Sequence, residues 1–337
     1  MDAAATVAAE VAAEVAERFG RFAREEAPGR SELYAEWAAG VVSDGEVTAI
    51  LGRIPARHRQ PPLVFAVTRL LGAPERSYRD WAEWVREHAD DVVTGCTAHS
   101  LQTNEPLRCA ALLPALSAID GPVALLEVGA SAGLCLYPDR YSYRYLGGPD
   151  LDPRDGRSAV ILDSALRGGG PSLRMPEVVW RAGIDLAPLD AADAEDRRFL
   201  VSLAWPGEAG RAARIEAALD IAAADPPLLV RGDATERAAL QALAALAPSG
   251  ATLVITTPGV LPHIPREGRD RLVANIADID AVWVSIDPPD LRFEGVAPID
   301  PAAWGGFVLR RDGRALAAVD PLGAFVEWRD PGARNAR

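Results

Sequence analysis

From about residue 120 onwards, short apolar runs rich in β-branched residues alternate with segments of helical periodicity. The runs are VALLEV at 123–128, EVVWRAGI at 177–184, PLLVRG at 227–232, ATLVIT at 251–256 and AVWVSI at 281–286. Continuous apolar runs of this kind are typical of parallel strands buried on both faces. Helices are expected at about 194–224, 235–247 and 266–278. The pattern therefore predicts a doubly wound, mostly parallel α/β sheet.

The last part of the chain is predicted to form antiparallel strands. Two extended runs, GFVLRR and ALAAV, flank Asp312-Gly313, and a third, GAFVEW, follows Asp320-Pro321. Asp-Gly between extended runs is a hairpin signal. The sheet is therefore expected to end in antiparallel strands.

The first 98 residues show helical periodicity only. Apolar residues recur every three or four positions over 3–26, which predicts an amphipathic helix. Ser31 is a candidate N-cap for a second helix that Gly40 is expected to end. Further helices are predicted at 44–52, 62–71 and 78–93. We expect an all-helical N-terminal domain over 1–98 and the sheet domain over 99–337.

Composition narrows the classes of partner. The chain has 337 residues and a formal net charge of −13, which argues against nucleic acid, since phosphate binding needs clustered Lys and Arg. No signal peptide or membrane-spanning run is visible, so we expect a cytoplasmic protein with a small-molecule substrate. Cys96, Cys109 and Cys135 lack metal-ligand spacing and are expected to be buried thiols, with no metal site.

A glycine-rich turn follows the first predicted strand. It reads Glu127-Val-Gly129-Ala130-Ser131-Ala-Gly133 and precedes a segment expected to be helical. Small residues at a strand-to-helix turn let a ligand approach the backbone and the N–H groups of the helix start. The spacing departs from G-x-G-x-x-G, so a dinucleotide fingerprint is disfavoured.

A polar segment precedes the same strand. Asn104 is a candidate N-cap of a helix towards Ile119, with Glu105 in its first turn. The alternative is that Gln102, Asn104, Glu105 and Arg108 lie at a site and position a substrate. Both interpretations stay open at the level of sequence.

The turn and three later segments resemble the class I S-adenosylmethionine-dependent methyltransferases, which have a Rossmann-like fold. LLEVGASAG resembles their first motif, RAGIDLAPLD their second strand, VRGDA their third and APSGATLVITTP their fourth. The resemblance implies that S-adenosylmethionine binds at Glu127, Gly129, Ala130, Ser131 and Gly133. The 58 positions between Glu127 and Asp185 exceed the family's usual interval, so an insertion is expected at about 140–175.

The same resemblance implies roles for residues on later strands. Asp185 would hold the ribose hydroxyls, and Asp233, followed by Ala234, would contact the adenine amino group. Whether Asp185 or Asp190 faces the pocket stays open. Thr257 follows the fourth strand, where the substrate is expected, and Glu105 or His263 would be the catalytic base if the substrate needs one.

Over its whole length the chain also resembles a bacterial family, the domain of unknown function 2332. The shared motifs are Q-T-N-E at 102–105, E-V-G-A-S-A-G-L at 127–134 and D-P-x-G-x-x-x-E-W at 320–328. This resemblance implies no activity.

Two other functions compete with the methyltransferase hypothesis. The turn also reads G-x-S-x-G, the nucleophile elbow of α/β-hydrolases, with Ser131 as nucleophile. His263 and several acids follow it in the order of a triad. The other alternative is a non-catalytic protein that binds a nucleotide or another ligand.

Overall fold

A computed structural model describes residues 3–102, 104–292, 296 and 299–329. The chain divides into two compact units. One contains the described residues up to Gln102 together with Asp193–Glu216. The other contains Asn104–Ala192 and the described residues from Ala217 onwards.

The helices are given in chain order, with short 3-10 and π segments left aside. They are α1 (Ala3–Arg21), α2 (Glu32–Ser43), α3 (Gly45–Gly52), α4 (Pro61–Leu70), α5 (Tyr78–Glu87), α6 (Ala89–Ala98), α7 (Arg108–Leu116), α8 (Ala194–Ser202), α9 (Arg211–Ala224), α10 (Arg237–Ala244), α11 (Arg266–Ala277) and α12 (Pro301–Trp304).

The strands form one sheet in the second unit. They are β1 (Pro122–Val128), β2 (Ser142–Leu146), β3 (Asp150–Leu151), β4 (Ile161–Arg167), β5 (Glu177–Asp185), β6 (Leu228–Arg231), β7 (Thr252–Pro258), β8 (Val282–Asp287), β9 (Phe307–Arg311), β10 (Arg314–Val319) and β11 (Phe325–Trp328). Their order across the sheet is β3-β2-β4-β11-β10-β9-β8-β7-β1-β5-β6.

The five strands expected from apolar runs are all present, and they are neighbours. β6, β5, β1, β7 and β8 pair in parallel in that order. β1, β7 and β8 are mostly buried, which explains their continuous apolar runs, because a strand covered on both faces has no polar alternation. β6 lies at the edge of the sheet, and its Leu228 and Val230 are exposed. The predicted mixed α/β class with a mostly parallel sheet is confirmed.

The antiparallel end of the sheet is also confirmed. β9 and β10 form the hairpin at Asp312-Gly313, whose backbone φ angles are 50° and 78°. Positive φ at both central residues is the requirement of a type I′ turn, which Asp-Gly satisfies. β8 pairs antiparallel with β9, and β10 pairs antiparallel with β11.

The segment expected to be an insertion extends the sheet. β2 and β3 form an antiparallel hairpin. β4 pairs in parallel with β2 on one side and with β11 on the other. The insertion therefore joins the edge of the sheet furthest from β6.

Several predicted helix limits are wrong. Ser31 caps α2 by accepting a hydrogen bond from the Tyr34 N–H, as predicted, but α2 continues past Gly40 to Ser43. A Cβ at Gly40 would overlap the Tyr78 ring, so this glycine allows close packing rather than ending a helix. The predicted helix over 78–93 is broken at His88 into α5 and α6.

One face of the parallel block packs against α10 and α11. Leu126, Ile184 and Ile255 from the strands pack with Leu240 and Leu272 from the helices, and all five are essentially buried. This packing holds the carboxyl ends of β1, β5 and β7 at a common edge of the sheet.

Candidate functional site

Three acidic residues lie where neighbouring parallel strands end. Glu127 is next to last on β1 and pairs with Gly183 of β5. Asp185 ends β5 and pairs with Arg231, the last residue of β6, and Asp233 follows shortly after that strand. The carboxyl ends of parallel strands are the usual ligand-binding edge of open α/β sheets. Glu127, Asp185 and Asp233 therefore share this edge.

The glycine turn lies at this edge, and four of its backbone N–H groups are hydrogen-bonded to other parts of the protein and to the turn itself. Gly129, Ser131 and Gly133 have φ angles of 75°, 52° and 73°. The Ser131 N–H donates to Asp185 Oδ2 at 2.8 Å, and the Ala132 N–H donates to Asn104 Oδ1 at 3.2 Å. The N–H groups of Gly129 and Gly133 donate to backbone carbonyls. These four N–H donors already have acceptors in the protein.

The turn does not lead into an α-helix, contrary to the sequence prediction. A three-residue 3-10 segment, Leu134–Leu136, follows it. The nearest atoms to a Cβ at Gly129 belong to the Val260 side chain, and those nearest a Cβ at Gly133 include Pro227. The glycines are therefore required by positive φ and by close packing against protein atoms.

Asn104 is not the predicted helix cap. Its Nδ2 group donates to Ser131 Oγ, and its Oδ1 accepts from the Ala132 N–H. The side chain is therefore hydrogen-bonded to two consecutive residues of the turn. Helix α7 instead begins at Arg108, with no side-chain cap. Asn104 is buried, so this contact sets the shape of the turn. Gln102 lies in the other compact unit.

Glu105 and Arg108, which follow Asn104 in the chain, connect this segment to the rest of the site. Glu105 is fully buried, and its Oε1 accepts from the Leu107 N–H at 3.0 Å. Arg108 donates from Nε to the Pro321 carbonyl at 3.0 Å and from one terminal nitrogen to the Pro258 carbonyl at 2.9 Å. Its guanidinium thus joins the end of β7 to the turn before β11.

That turn, Asp320–Gly323, explains the last shared motif. Asp320 Oδ1 accepts from the N–H groups of Leu322 and Ala324, and Gly323 lies with φ 103° against the backbone of Leu107. The Gly323 carbonyl accepts from Ser164 Oγ at 2.7 Å. The motif therefore fixes the segment that carries Arg108.

Glu127 is a buried acid with an unsatisfied oxygen. It is 4% exposed, and its Oε2 has no hydrogen-bond partner among the described residues. Burial raises the pKa of Glu127 well above its ordinary value, and the nearby Cys135 and Asp185 act in the same direction while Arg108 opposes them. A cation or hydrogen-bond donor placed at this oxygen would favour the ionised form.

A second buried acid, Asp287, has no motif that points to it in the sequence. It ends β8, is 0% exposed, and neither carboxylate oxygen has a hydrogen-bond partner in the described part of the chain. Burial raises the pKa of Asp287 to about 7, although Ser285 and three arginines, Arg310, Arg269 and Arg108, lower it. The sequence signal was weak, since Asp287 is one acid among 48 acidic residues.

The remaining predicted residues lie around the ends of β6 and β7. Ala234 follows Asp233 and is buried. Thr257 is buried, and its Oγ1 accepts from the Trp283 indole N–H at 3.0 Å. His263 is exposed, but neighbouring protein displaces enough water to lower its pKa, and the Arg108 charge adds to the effect.

A pocket of about 320 Å³ opens beside the glycine turn. Its walls include Ala132 of the turn, Pro188 and Asp190 after β5, Ala222 of α9, and Leu229 of β6. Asp190 Oδ1 accepts from the Ala192 N–H, and Asp193 is the residue that caps α8. Asp190 therefore borders the pocket, while Asp185 contacts the turn.

All three cysteines are buried free thiols, as expected. Among the described residues, no helix has both the length and the apolar character needed to cross a bilayer.

Residues 16–328 match a family model described as "Uncharacterized protein conserved in bacteria (DUF2332)". The match covers most of the chain, so the protein belongs to this family. Comparisons with curated proteins and with solved structures gave no match.

Proposed function

We propose that this member of the bacterial family is an S-adenosylmethionine-dependent methyltransferase, or a close derivative, that acts on a small molecule. The strand order β6-β5-β1-β7-β8 supports a Rossmann-like doubly wound arrangement, because strands β1, β5 and β6 lead outward in one direction and β7 and β8 in the other. The acids expected to contact the cofactor lie at the carboxyl ends of β1, β5 and β6, at one edge of the sheet.

The observation that carries the proposal is the imbalance between acceptors and donors at this edge. The N–H groups of Ser131 and Ala132 are already bonded, as is the Arg108 guanidinium to two carbonyls. Glu127 keeps an unsatisfied oxygen, and each oxygen of Asp185 has a second lone pair. Such an edge disfavours phosphates, and it favours a nucleoside ligand with hydroxyl donors and a cationic group.

The residues present fit S-adenosylmethionine in this sense. Glu127 would bind its positive end, Asp185 the ribose hydroxyls, and Asp233 an amine hydrogen. The cofactor supplies a methyl group on a sulfonium, so the protein mainly has to align the acceptor atom. An obligatory catalytic residue is not required.

Of the two candidate bases, we favour His263. Its lowered pKa keeps the ring neutral at pH 7, and the ring is exposed to solvent. Glu105 is buried and accepts a backbone N–H, so it supports the start of α7. If the substrate nucleophile must lose a proton, His263 would accept it.

Titration with S-adenosylhomocysteine and S-adenosylmethionine tests the proposal. We expect both to bind, with the heat of binding depending on the buffer, because a cation beside Glu127 lowers its raised pKa and releases a proton. Affinity should therefore rise with pH towards the pKa of the free protein. Glu127→Gln should weaken binding at least about tenfold, or about 1.4 kcal/mol, and abolish the proton release.

Glu267→Gln, an exposed change on α11, is the matched control and should leave both affinities unchanged. Absence of heat and of any rise in Tm at millimolar ligand, with folded protein, would contradict the proposal. Equal binding by Glu127→Gln and wild type would remove Glu127 from the site.

The serine hydrolase alternative has less support from the contacts of Ser131. Its Oγ accepts from the Asn104 amide, a group that cannot take up the hydroxyl proton, and the side chain is buried. We expect a fluorophosphonate probe to leave Ser131 unlabelled. Labelling that disappears in Ser131→Ala would favour the hydrolase instead.

A further inference from the structure

The Arg108 side chain joins segments that are far apart in the sequence. Arg108 is the first residue of α7, and its Nε donates to the carbonyl of Pro321, in the turn before β11. A terminal nitrogen of the same guanidinium donates to the carbonyl of Pro258, the last residue of β7. Hydrogen bonds from a charged donor are stronger than those between neutral groups. The position of the end of β7 therefore depends on Arg108.

The same guanidinium lies against Gly259, the residue that follows β7. A Cβ at Gly259 would be 3.0 Å from Arg108 Nη2 and 3.3 Å from Arg108 Cζ. The Gly259 N–H donates to the carbonyl of Ile286, in β8, at 2.7 Å. Gly259 is therefore held by β8 through its N–H group and by close packing against Arg108.

The segment that follows Gly259 reaches both the glycine turn and His263. Val260 packs so closely against Gly129 that a Cβ at Gly129 would overlap its side chain. The 3-10 segment Leu261–His263 comes next, and its first residue is fully buried. The place of the imidazole at the edge of the sheet thus depends on the place of Gly259.

The charge of Arg108 also acts on the imidazole. Displacement of water by neighbouring protein lowers the pKa of His263, and the nearby Arg108 guanidinium lowers it further. Arg266 and Glu267, at the start of α11, are close to His263 in the sequence, but both are exposed to water, which screens their charges. A positive charge near the ring disfavours the imidazolium and favours the neutral ring, which can accept a proton.

We propose that Arg108 is a positioning residue for His263: its guanidinium holds the segment after β7 in place and supplies a permanent positive charge near the imidazole. Its effect is exerted through His263 rather than on the reacting atoms. The inference deepens the proposed function and rests on it for the role of His263 as a base. The contacts and the charge of Arg108 can be tested without a ligand.

Two variants of Arg108 separate its charge from its hydrogen bonds. Arg108→Lys keeps the charge but lacks the planar fork of donors, whereas Arg108→Gln loses the charge. NMR titration of the His263 ring measures its protonation, and the signal is identified among those of the four histidines by its loss in His263→Gln. We expect the midpoint to move upward in Arg108→Gln and to stay close to that of wild type in Arg108→Lys, since removal of a nearby cation favours the imidazolium.

Hydrogen exchange measures how firmly the segment is held. The Gly259 amide should exchange at least about tenfold faster in both variants than in wild type, because both lose at least one of the two bonds to carbonyls. Arg266→Gln is the matched control. It removes a positive charge three residues from His263, but the Arg266 side chain is 83% exposed. Its titration midpoint and exchange rate should match those of wild type.

An unchanged His263 midpoint in Arg108→Gln, or equal shifts in Arg108→Gln and Arg108→Lys, would overturn the inference. Exchange of the Gly259 amide at the wild-type rate in Arg108→Lys would also overturn it, and this measurement remains valid if Arg108→Gln does not fold. Neither measurement uses S-adenosylhomocysteine. Failure of that ligand to bind would therefore contradict the proposed function, whereas an unchanged midpoint would contradict only the role of Arg108.

Discussion

Gly323→Ala is expected to lower the free energy of unfolding by more than about 3 kcal/mol. Gly323 has a φ of 103°, and a Cβ there would overlap the backbone carbonyl of Leu107 and lie 3.0 Å from the Arg108 N atom. A side chain is strained at this φ, and the overlapping atoms belong to backbone that cannot rotate away. Urea denaturation of the variant and wild type measures the difference.

Gly156→Ala is the matched control for this prediction. Gly156 has a similar φ of 108°, but no atom lies within 4 Å of its Cβ position. The backbone strain alone should cost about 1 kcal/mol. An equal loss of stability in the two variants would show that the contact of Gly323 with Leu107 has no energetic role.

Gly323→Ala should also weaken ligand binding, because the same contact fixes Arg108. Arg108 bonds to the carbonyls of Pro321 and Pro258 and therefore depends on the position of the Asp320–Gly323 turn. S-adenosylhomocysteine titration of the variant, at a temperature where it remains folded, measures this effect.

The strands could be predicted from the sequence because their apolar runs leave a local signal, which for β1, β7 and β8 reflects burial. Each of the five predicted parallel strands is present, with limits shifted by at most two residues. The Asp312-Gly313 hairpin and the Ser31 cap could be predicted equally well, since each depends on residues that are close together in the sequence. Local chemistry decides these features.

The features that the sequence did not reveal depend on contacts between distant residues. Asn104 resembles a helix cap by its neighbours, but its side chain bonds to Ser131, 27 positions away. Gly40 resembles a helix end, but it is required by the Tyr78 ring. No local pattern distinguishes these roles.

The candidate site could be predicted from the sequence only in part. The positions of Glu127 and Asp185 at strand ends followed from the strand pattern, whereas their proposed roles came from a resemblance. The burial of Asp287 depends on the pairing of β8 with β9, which covers the end of β8. An isolated aspartate before Pro288 gives no sign of this.

Asp287→Asn is expected to stabilise the protein above pH 7, by about 2–4 kcal/mol. The carboxyl is fully buried, and its pKa is raised to about 7 from an ordinary value of 3.8. Between pH 3.8 and about pH 7, the Asp287 carboxyl is ionised in the unfolded chain and protonated in the folded protein. Stability is therefore fully present below about pH 4 and falls by about 1.4 kcal/mol per pH unit as the pH rises towards 7.

The amide introduced by Asp287→Asn cannot ionise, so this loss disappears in the variant. The two proteins should be similarly stable at about pH 4 and diverge up to about pH 7, with a smaller gain than the full linkage because the attraction to Arg310 is also lost. Urea denaturation across this range and about one pH unit beyond it gives the difference, and Asp280→Asn, an exposed change, should follow the wild-type curve. A variant that is less stable than wild type at the alkaline end would mean that Asp287 is ionised and stabilised by its surroundings. The arginines, rather than burial, would then dominate its environment.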